Sequence, residues 1–166
     1  MWTDTHWSTT MSENKSYGVV SLAEQREIGG LEFVRGLVTG ALPLNTMAKT
    51  LGYDIVEAEE GRVVIAAMPS SDHMNPNGSI HGGVAATLLD SCMGLAVRTL
   101  LPRGVGSTTL EFKMSFLRPV TVESGLLRAE GKVLMVGRRT GFAEGWLKGC
   151  DGRLLVHGTT TCLNLQ

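Results

Sequence analysis

Three features that can take part in chemistry fall within sixteen residues of the 166-residue chain. Asn75 lies in a polar loop, the run His81-Gly82-Gly83 stands where a helix begins, and Asp90 follows inside that helix. The loop features also have an ordinary structural explanation, because Asn-Pro pairs favour turns and paired glycines let a loop enter a helix tightly. Asp90 is harder to explain in this way, since a carboxylate in a nearly uncharged helix is costly to bury without partners.

Taken together, these residues predict chemistry at a carbonyl group. Backbone N–H groups of Gly82 and Gly83, at the positive end of a helix, can donate hydrogen bonds to a carbonyl oxygen that gains negative charge. Asp90 would be the general base for a water molecule, or a carboxylate nucleophile. Asn75 can donate a second hydrogen bond to the carbonyl oxygen or hold the water.

The spacing of Gly83 and Asp90 predicts that such a site is shared between two chains. Seven residues separate them, which corresponds to about 10 Å along a helix. An attacking water must lie near 3 Å from the carbonyl that it attacks. One helix therefore cannot easily bring both groups to one carbonyl, whereas an antiparallel helix from a two-fold partner can place its Asp90 opposite these glycines.

The elements that must position these residues indicate an α+β fold. Ser21 begins a helix with a capping box, and the helical pattern ends at Gly40. Residues 53–68 favour strands on both sides of Gly61, and residues 69–83 form a long loop.

A buried helix and an antiparallel sheet follow this loop. The helix runs from Val84 to about Leu101 and is apolar around much of its circumference. Four strands in a meander are predicted near 110–116, 127–133, 142–148 and 154–163, the last two joined by a hairpin turn at Asp151-Gly152. The expected architecture is a sheet curved around one central helix.

Composition restricts the class of protein. Fifteen Lys and Arg against sixteen Asp and Glu give a net charge of −1, which argues against a nucleic-acid partner. No apolar run approaches the roughly 18–20 residues that a membrane span needs. Residues 1–20 are expected to be a disordered lead-in without a secretory signal, and residues 21–166 a single domain. Three cysteines without Cys-x-x-Cys spacing favour a reducing compartment, and hence the cytoplasm.

The residues from Asn75 to Gly83, NPNGSIHGG, followed by Asp90, resemble the hotdog-fold acyl-CoA thioesterases of the phenylacetic-acid-degradation (PaaI-like) type. The segment 108–120, TTLEFKMSFLRPV, resembles the next strand of that family, and residues 137–139 match the connection that follows. The resemblance extends over about residues 31–163. It implies a hotdog fold, an antiparallel sheet wrapped around a long central helix with a short helix before it.

The resemblance also implies an activity. The expected reaction is hydrolysis of an acyl-CoA or aryl-CoA thioester to a free acid and coenzyme A, without a metal or redox cofactor. In agreement, the sequence has no zinc-ligand spacing and no G-x-S-x-G serine motif. The expected assembly is a homodimer or a dimer of dimers.

Site roles follow from the same resemblance. Asp90 would be the acid–base residue or nucleophile, Gly82 with Asn75 would polarise the thioester carbonyl, and His81 would shape the site. Thr109 matches the position of a water-orienting hydroxyl, with Thr108 as the neighbouring alternative. The substrate or coenzyme A would also contact Gly83, Gly137, Arg138 and Arg139, although the two arginines fit a solvated turn equally well.

Two other functions stay open at this point. One is a non-catalytic acyl-CoA-binding module, and the other is a hydratase or dehydratase in which His81 and Asp90 form a proton-transfer pair. The acyl group is open as well, and four residues that are as often ordinary core can line an apolar pocket: Phe112, Met114, Phe116 and Met135.

Overall fold

The computed structural model describes residues 15–166. In that range the helices are α1 (Leu22–Arg26), α2 (Gly30–Thr39), α3 (Thr46–Leu51) and α4 (Gly82–Thr99). The strands are β1 (Tyr53–Glu59), β2 (Arg62–Ala67), β3 (Gly106–Phe116), β4 (Leu127–Val136), β5 (Thr140–Lys148) and β6 (Leu154–Leu165). Among these helices, none combines the length and the hydrophobicity needed to cross a membrane.

All six strands form one antiparallel sheet in the order β1-β2-β4-β5-β6-β3. The meander prediction is confirmed for β4, β5 and β6 and is wrong for β3, which pairs with β6 instead of β4. The free side of β4 is taken by β2, where Arg62 Nε donates to Glu130 Oε1 at 2.7 Å. Strand β3 therefore becomes an edge of the sheet.

Helix α4 lies directly against the sheet, as predicted, because glycines remove side chains at the contact. A Cβ atom on Gly131 of β4 would lie 2.4 Å from the carbonyl oxygen of Cys92. On Gly145 of β5 it would lie 2.9 Å from Met93 Cγ. Leu88, Leu89 and Met93 of α4 are consequently fully buried in the core.

The helix predicted from Ser21 to Gly40 is broken just before Gly30. The capping box at Ser21 is present, and Gly40 ends α2 in the left-handed conformation with φ +79°. The break arises because the Gly30 backbone lies against the end of α4. Its N–H donates to the Leu101 carbonyl at 3.0 Å, and a Cβ there would come within 1.8 Å of the Arg98 carbonyl oxygen. Two helices, α1 and α2, thus stand where one was predicted, and α3 was not predicted.

Residues 15–20, which were expected to belong to a disordered lead-in, pack on the domain. Tyr17 pairs with Leu44 in a parallel bridge, and Lys15 Nζ donates to Asp54 Oδ1 at 2.5 Å. Burial raises the pKa of Asp54, and Lys15 opposes the rise. The predicted boundary at residue 20 is therefore wrong, while the rest of the predicted lead-in, residues 1–14, lies outside the described residues.

The two edges of the sheet differ in character. Edge strand β3 exposes large apolar side chains, among them Leu110 at 56% and Phe116 at 53%. Edge strand β1 instead carries Glu57 and Glu59, and a bulge interrupts its register near Ile55. Only β3 offers an apolar edge to another surface.

Candidate active site

Asp90 lies on the wall of a cavity of about 330 Å³, here called the Asp90 cavity. The cavity is bounded by α4, by the beginning of β3 and by α2, and its lining includes Phe33, Asp90, Gly94, Arg98, Thr108 and Thr109. Thr109 Oγ1 donates to Asp90 Oδ1 at 2.8 Å. The second carboxylate oxygen accepts no hydrogen bond from residues 15–166, and it is therefore available to a ligand or a water.

Local backbone features place the two side chains together. A bulge in β3 between Thr109 and Glu111 shifts the register against β6, and such bulges commonly re-aim a side chain. One helical turn after Asp90, Gly94 leaves open space: a Cβ atom there would have only Thr109 Oγ1 within 4 Å, at 3.9 Å. The carboxylate of Asp90 is thus held from one side and left accessible from another.

Cys162 is the other reactive side chain in the lining of the Asp90 cavity. It is 1% exposed, and burial raises the pKa of its thiol. Because the thiolate and not the thiol is the nucleophile, this environment disfavours Cys162 as an attacking group.

The amide groups at the beginning of α4 are not equivalent. His81 is the N-cap residue, and its Nδ1 accepts a hydrogen bond from the Gly83 N–H at 2.9 Å. The expectation that both glycines donate to a substrate oxygen therefore needs correction, because the Gly83 amide is already occupied. The Gly82 N–H has no hydrogen-bond partner among residues 15–166.

Asn75 lies close to Gly82 and mainly organises the loop. Its Oδ1 accepts hydrogen bonds from the backbone of Asn77 and Ser79, and its Nδ2 donates to Ser79 Oγ at 2.9 Å. One N–H of the amide remains for a ligand. Asn75, Gly82 and Phe116 line a second cavity of about 310 Å³, here called the Gly82 cavity.

The two cavities are separate within one chain. Asp90 does not line the Gly82 cavity, and Gly82, Asn75 and His81 do not line the Asp90 cavity. Eight residues of α4 separate Gly82 from Asp90, which corresponds to about 12 Å. A single chain accordingly brings Asp90 together with Thr109 and Thr108, and Gly82 together with Asn75, without joining the two groups. His81 and Asp90 form no proton-transfer pair in one chain.

The turn Gly137-Arg138-Arg139 joins β4 to β5. Asn164 fixes it by donating from Nδ2 to the Gly137 carbonyl at 2.9 Å and from its backbone to the Arg139 carbonyl at 2.8 Å. Both arginines are exposed, and within residues 15–166 neither has an acidic partner. Thr140, which follows this turn, and Thr108 of β3 both pair with Leu163 of β6. The turn therefore lies level with Thr108 across the sheet, two strand spacings or about 10 Å away.

Of the four residues expected to line an apolar pocket, two border a cavity. Phe116 lines the Gly82 cavity, and Phe112 lines a space of about 430 Å³ on the other side of Asp90. Met114 packs against the core, and Met135 is exposed. In residues 15–166 no group of three His, Cys, Asp or Glu side chains is arranged to hold a metal ion.

Sequence reasoning missed Arg98 and Phe33. Arg98 is only 8% exposed, lines the Asp90 cavity, and lies over the Phe33 ring at 4.8 Å. The signal was present in the spacing, since positions 90, 94 and 98 follow each other on one face of a helix. A cationic residue in the last turn of a helix is usually explained by its favourable interaction with the helix dipole. For that reason Arg98 was not considered as a residue of the site.

Comparison with known proteins gives a consistent assignment. The sequence model of the thioesterase superfamily matches residues 77–155, just under half of the chain. Two archaeal relatives carry provisional names as esterases. The protein of Halobacterium salinarum is 36% identical over 57% of this chain and 64% of its own length, and that of Saccharolobus solfataricus is 31% identical over 64% and 74%. The chain therefore matches less than two thirds of the first of these relatives.

A third relative, the acyl-coenzyme A thioesterase PaaI of Escherichia coli, is 30% identical over 58% of this chain and 66% of its own length. Among solved structures, the phenylacetic acid degradation-related protein of Ralstonia eutropha has a TM-score of 0.72 and 29% identity. That match covers 79% of this chain and 98% of the other. The predicted hotdog fold is thereby confirmed, and with sequence and structure in agreement this chain belongs to the thioesterase superfamily.

Proposed function

We propose that the protein hydrolyses an acyl-CoA or aryl-CoA thioester to a free acid and coenzyme A, at a site shared between two subunits. The observation that carries this proposal is the carboxylate of Asp90, which Thr109 fixes on the wall of a cavity of ligand size. Membership of the thioesterase superfamily and similarity to an acyl-coenzyme A thioesterase support the same reaction class.

Asp90 supplies the reactive group in either of two routes. As a general base, its free oxygen takes a proton from a water whose oxygen attacks the carbonyl carbon; the C–S bond then breaks and the sulfur receives that proton. As a nucleophile, the carboxylate oxygen attacks the carbonyl carbon and expels the thiolate, and water then hydrolyses the resulting anhydride. Each route transfers an acyl group to water, which requires neither a metal nor a redox cofactor.

The Gly82 amide is the proposed donor to the carbonyl oxygen. Its N–H is free at the positive end of an 18-residue helix, and Asn75 lies beside it with one N–H to spare. These donors are about 12 Å from Asp90 of the same chain, so they must serve the carboxylate of a second copy. The minimal assembly is a homodimer in which each α4 contributes to both sites.

The remaining predicted contacts concern coenzyme A. Arg138 and Arg139 are exposed cations without an acidic partner among the described residues, in a turn that lies level with Thr108 of the Asp90 cavity. Guanidinium groups of this kind suit phosphate groups. Gly94 leaves room beside Asp90 for a thin substrate arm. Three free cysteines, two of them buried, suit the reducing cytoplasm that we propose for the protein.

The direct test is release of free thiol from a panel of aryl- and aliphatic acyl-CoA thioesters of increasing length. We expect the purified protein to release thiol from at least one of them. Replacing Asp90 by Asn should lower kcat by about 1,000-fold or more, because the amide neither accepts the proton nor attacks.

Glu60→Gln is the matched control, since it also exchanges a carboxylate for an amide but at an exposed turn away from both cavities. It should retain full activity. Binding of acyl-CoA without thiol release from any thioester would indicate a binding module instead. Loss of enoyl absorbance without thiol release would indicate a hydratase.

A further inference from the structure

Arg98 is a buried cation without a charged partner. It is 8% exposed, and no carboxylate of residues 15–166 forms an ion pair with it. Within the described part of the chain, its Nε is buried without a hydrogen-bond acceptor. The guanidinium makes one hydrogen bond there, a long contact of 3.5 Å from Nη2 to the Gln25 carbonyl.

The environment of Arg98 only partly compensates for its burial. The Phe33 ring lies 4.8 Å from the guanidinium carbon, and the carbonyl end of α4 lies close by, so both interact favourably with a cation. Burial nevertheless lowers the pKa of Arg98, because desolvation disfavours the charged form. A guanidinium has five N–H donors in a planar fork, and among residues 15–166 only the Gln25 carbonyl accepts a hydrogen bond from that of Arg98.

Arg98 also lies in the lining of the Asp90 cavity. Asp90, Gly94 and Arg98 follow each other at intervals of four residues, and all three line the same space. Gly94, between them, has no side chain to obstruct it. A ligand group that enters beside the Asp90 carboxylate can therefore pass over Gly94 and end at the guanidinium.

We propose that the acyl group of the substrate ends in a carboxylate that pairs with Arg98, so that the protein acts on ω-carboxyacyl-CoA thioesters. The inference rests on the proposed thioester hydrolysis and adds the chemical class of the acyl group. A carboxylate matches the fork of a guanidinium and supplies the acceptors that Arg98 lacks. A methyl-ended chain would instead bury Arg98 further and leave its donors unpaired.

The geometry also gives the length of the acyl group. The Cα atoms of Asp90 and Arg98 are about 12 Å apart along the helix. Side chains on a helix lean toward its N-terminal end, and the longer Arg98 side chain extends farther in that direction than Asp90, which shortens the gap. Acyl groups of roughly six to ten carbons span such a distance in an extended conformation.

The experiment compares ω-carboxyacyl-CoA and methyl-ended acyl-CoA thioesters of equal carbon number over about this range of lengths. At the best length we expect kcat/KM to favour the carboxylated substrate by about 30-fold or more, as for other buried charge pairs. Arg98→Met keeps a long apolar side chain and should abolish or reverse this preference, whereas Arg98→Lys should retain part of it. Arg103→Met removes an exposed arginine just beyond α4 and should leave the preference unchanged.

A second measurement does not depend on the variants folding. The free ω-dicarboxylic acid should inhibit the wild-type enzyme at concentrations about 30-fold lower than the monocarboxylic acid of equal length. Equal hydrolysis of both substrate series by the wild type, or a preference that persists in Arg98→Met, overturns the assignment of Arg98 while thioester hydrolysis stands. Absence of thiol release from both series, with aryl-CoA thioesters still hydrolysed, overturns this inference alone, whereas absence of thiol release from the aryl-CoA thioesters as well overturns the proposed hydrolysis itself.

Discussion

The hydrogen bond from Thr109 to Asp90 divides the carboxylate into two unequal oxygens. Oδ1 is fixed at 2.8 Å by the hydroxyl, and the other oxygen stays available for a proton or a carbonyl carbon. The Asp90 side chain therefore has one orientation prepared before a ligand arrives, which reduces the free energy needed to orient it during the reaction. Thr109 is a positioning residue in this arrangement, since it acts through Asp90.

Replacing Thr109 by Val removes the hydroxyl and keeps the β-branched shape. We expect kcat to fall by about 10- to 100-fold, the range that corresponds to a hydrogen bond to a charged group, with little change in KM. Steady-state kinetics on the best acyl-CoA substrate measures both parameters.

Thr109→Ser should recover most of the lost turnover, because it restores the hydroxyl without the methyl group. Thr159→Val, at an exposed position of β6 without a side-chain hydrogen bond, controls for the loss of a strand threonine. A rise in KM that accompanies the fall in kcat, or no recovery with Ser, would show that Thr109 contributes only to packing.

Residue types and spacing were enough to single out Asp90, Gly82 and Asn75 as candidates, because the chemistry of these side chains and amides is visible in the sequence. The occupation of the Gly83 amide was not visible, since it depends on the orientation of the His81 ring at the N-cap. Arg98 was missed for a related reason: whether a charge at a helix end meets water or a cavity is decided by distant elements, here α1 and α2.

At the scale of elements, α4 and the sheet contact each other through backbone. Gly131 of β4 brings the strand so close to the Cys92 carbonyl that no side chain fits between them. Helices and hairpins were predictable, because capping boxes, turn glycines and period-two alternation are local signals. The position of β3 beside β6 was not predictable from local signals. It follows from the pairing of β2 with β4, which leaves no edge of β4 for β3.

The close contact makes a sharp prediction about glycine substitutions. Gly131→Ala should lower the free energy of unfolding by about 3 kcal/mol, because the new methyl group meets backbone that cannot rotate away. Gly94→Ala adds the same methyl group inside α4, where space is open, and should raise the free energy of unfolding by about 0.5–1 kcal/mol.

Urea unfolding with a common slope measures both changes. A loss below about 1 kcal/mol for Gly131→Ala would mean that the helix and strand can separate at little cost. The same Gly→Ala substitution is expected to lower the free energy of unfolding at Gly131 and to raise it at Gly94. This difference distinguishes steric crowding from helix propensity.

For the whole molecule, the main feature is that Asp90 and Gly82 line two separate cavities of one chain. Gly82 is the first residue of α4 and Asp90 lies near the middle of the same helix. In the proposed dimer, the exposed apolar edge of β3 is the surface through which a second copy would bring its Asp90 to the Gly82 amide.

Complementation tests the shared site. Gly82→Pro removes the N–H at the first position of α4, where proline is well tolerated, and His81 before it already has an extended backbone. We expect Gly82→Pro to lower kcat by about 100- to 1,000-fold, and equal mixing with Asp90→Asn chains to restore about a quarter of wild-type activity. Thiol release from co-expressed chains provides the measurement.

Gly82→Ala is the matched control, since it keeps the N–H and adds a similar atom near Phe116, whose Cζ would lie 3.0 Å away. It should retain far more activity than Gly82→Pro. If mixtures of the two inactive variants stay inactive although mixed dimers form, both groups act within one chain.

The unequal edges of the sheet bear on how far assembly can proceed. An exposed edge strand can pair with a strand of another chain through its free backbone N–H and C=O groups. If both edges of the sheet paired in this way, the chains would assemble into an open-ended ribbon. Joining two copies through β3 would cover the apolar edges and leave only β1 facing outward, with its glutamates and its bulge. The bulge and the acidic side chains of β1 would then prevent further strand pairing at the outer edges. The assembly would therefore stay finite in size and resist aggregation.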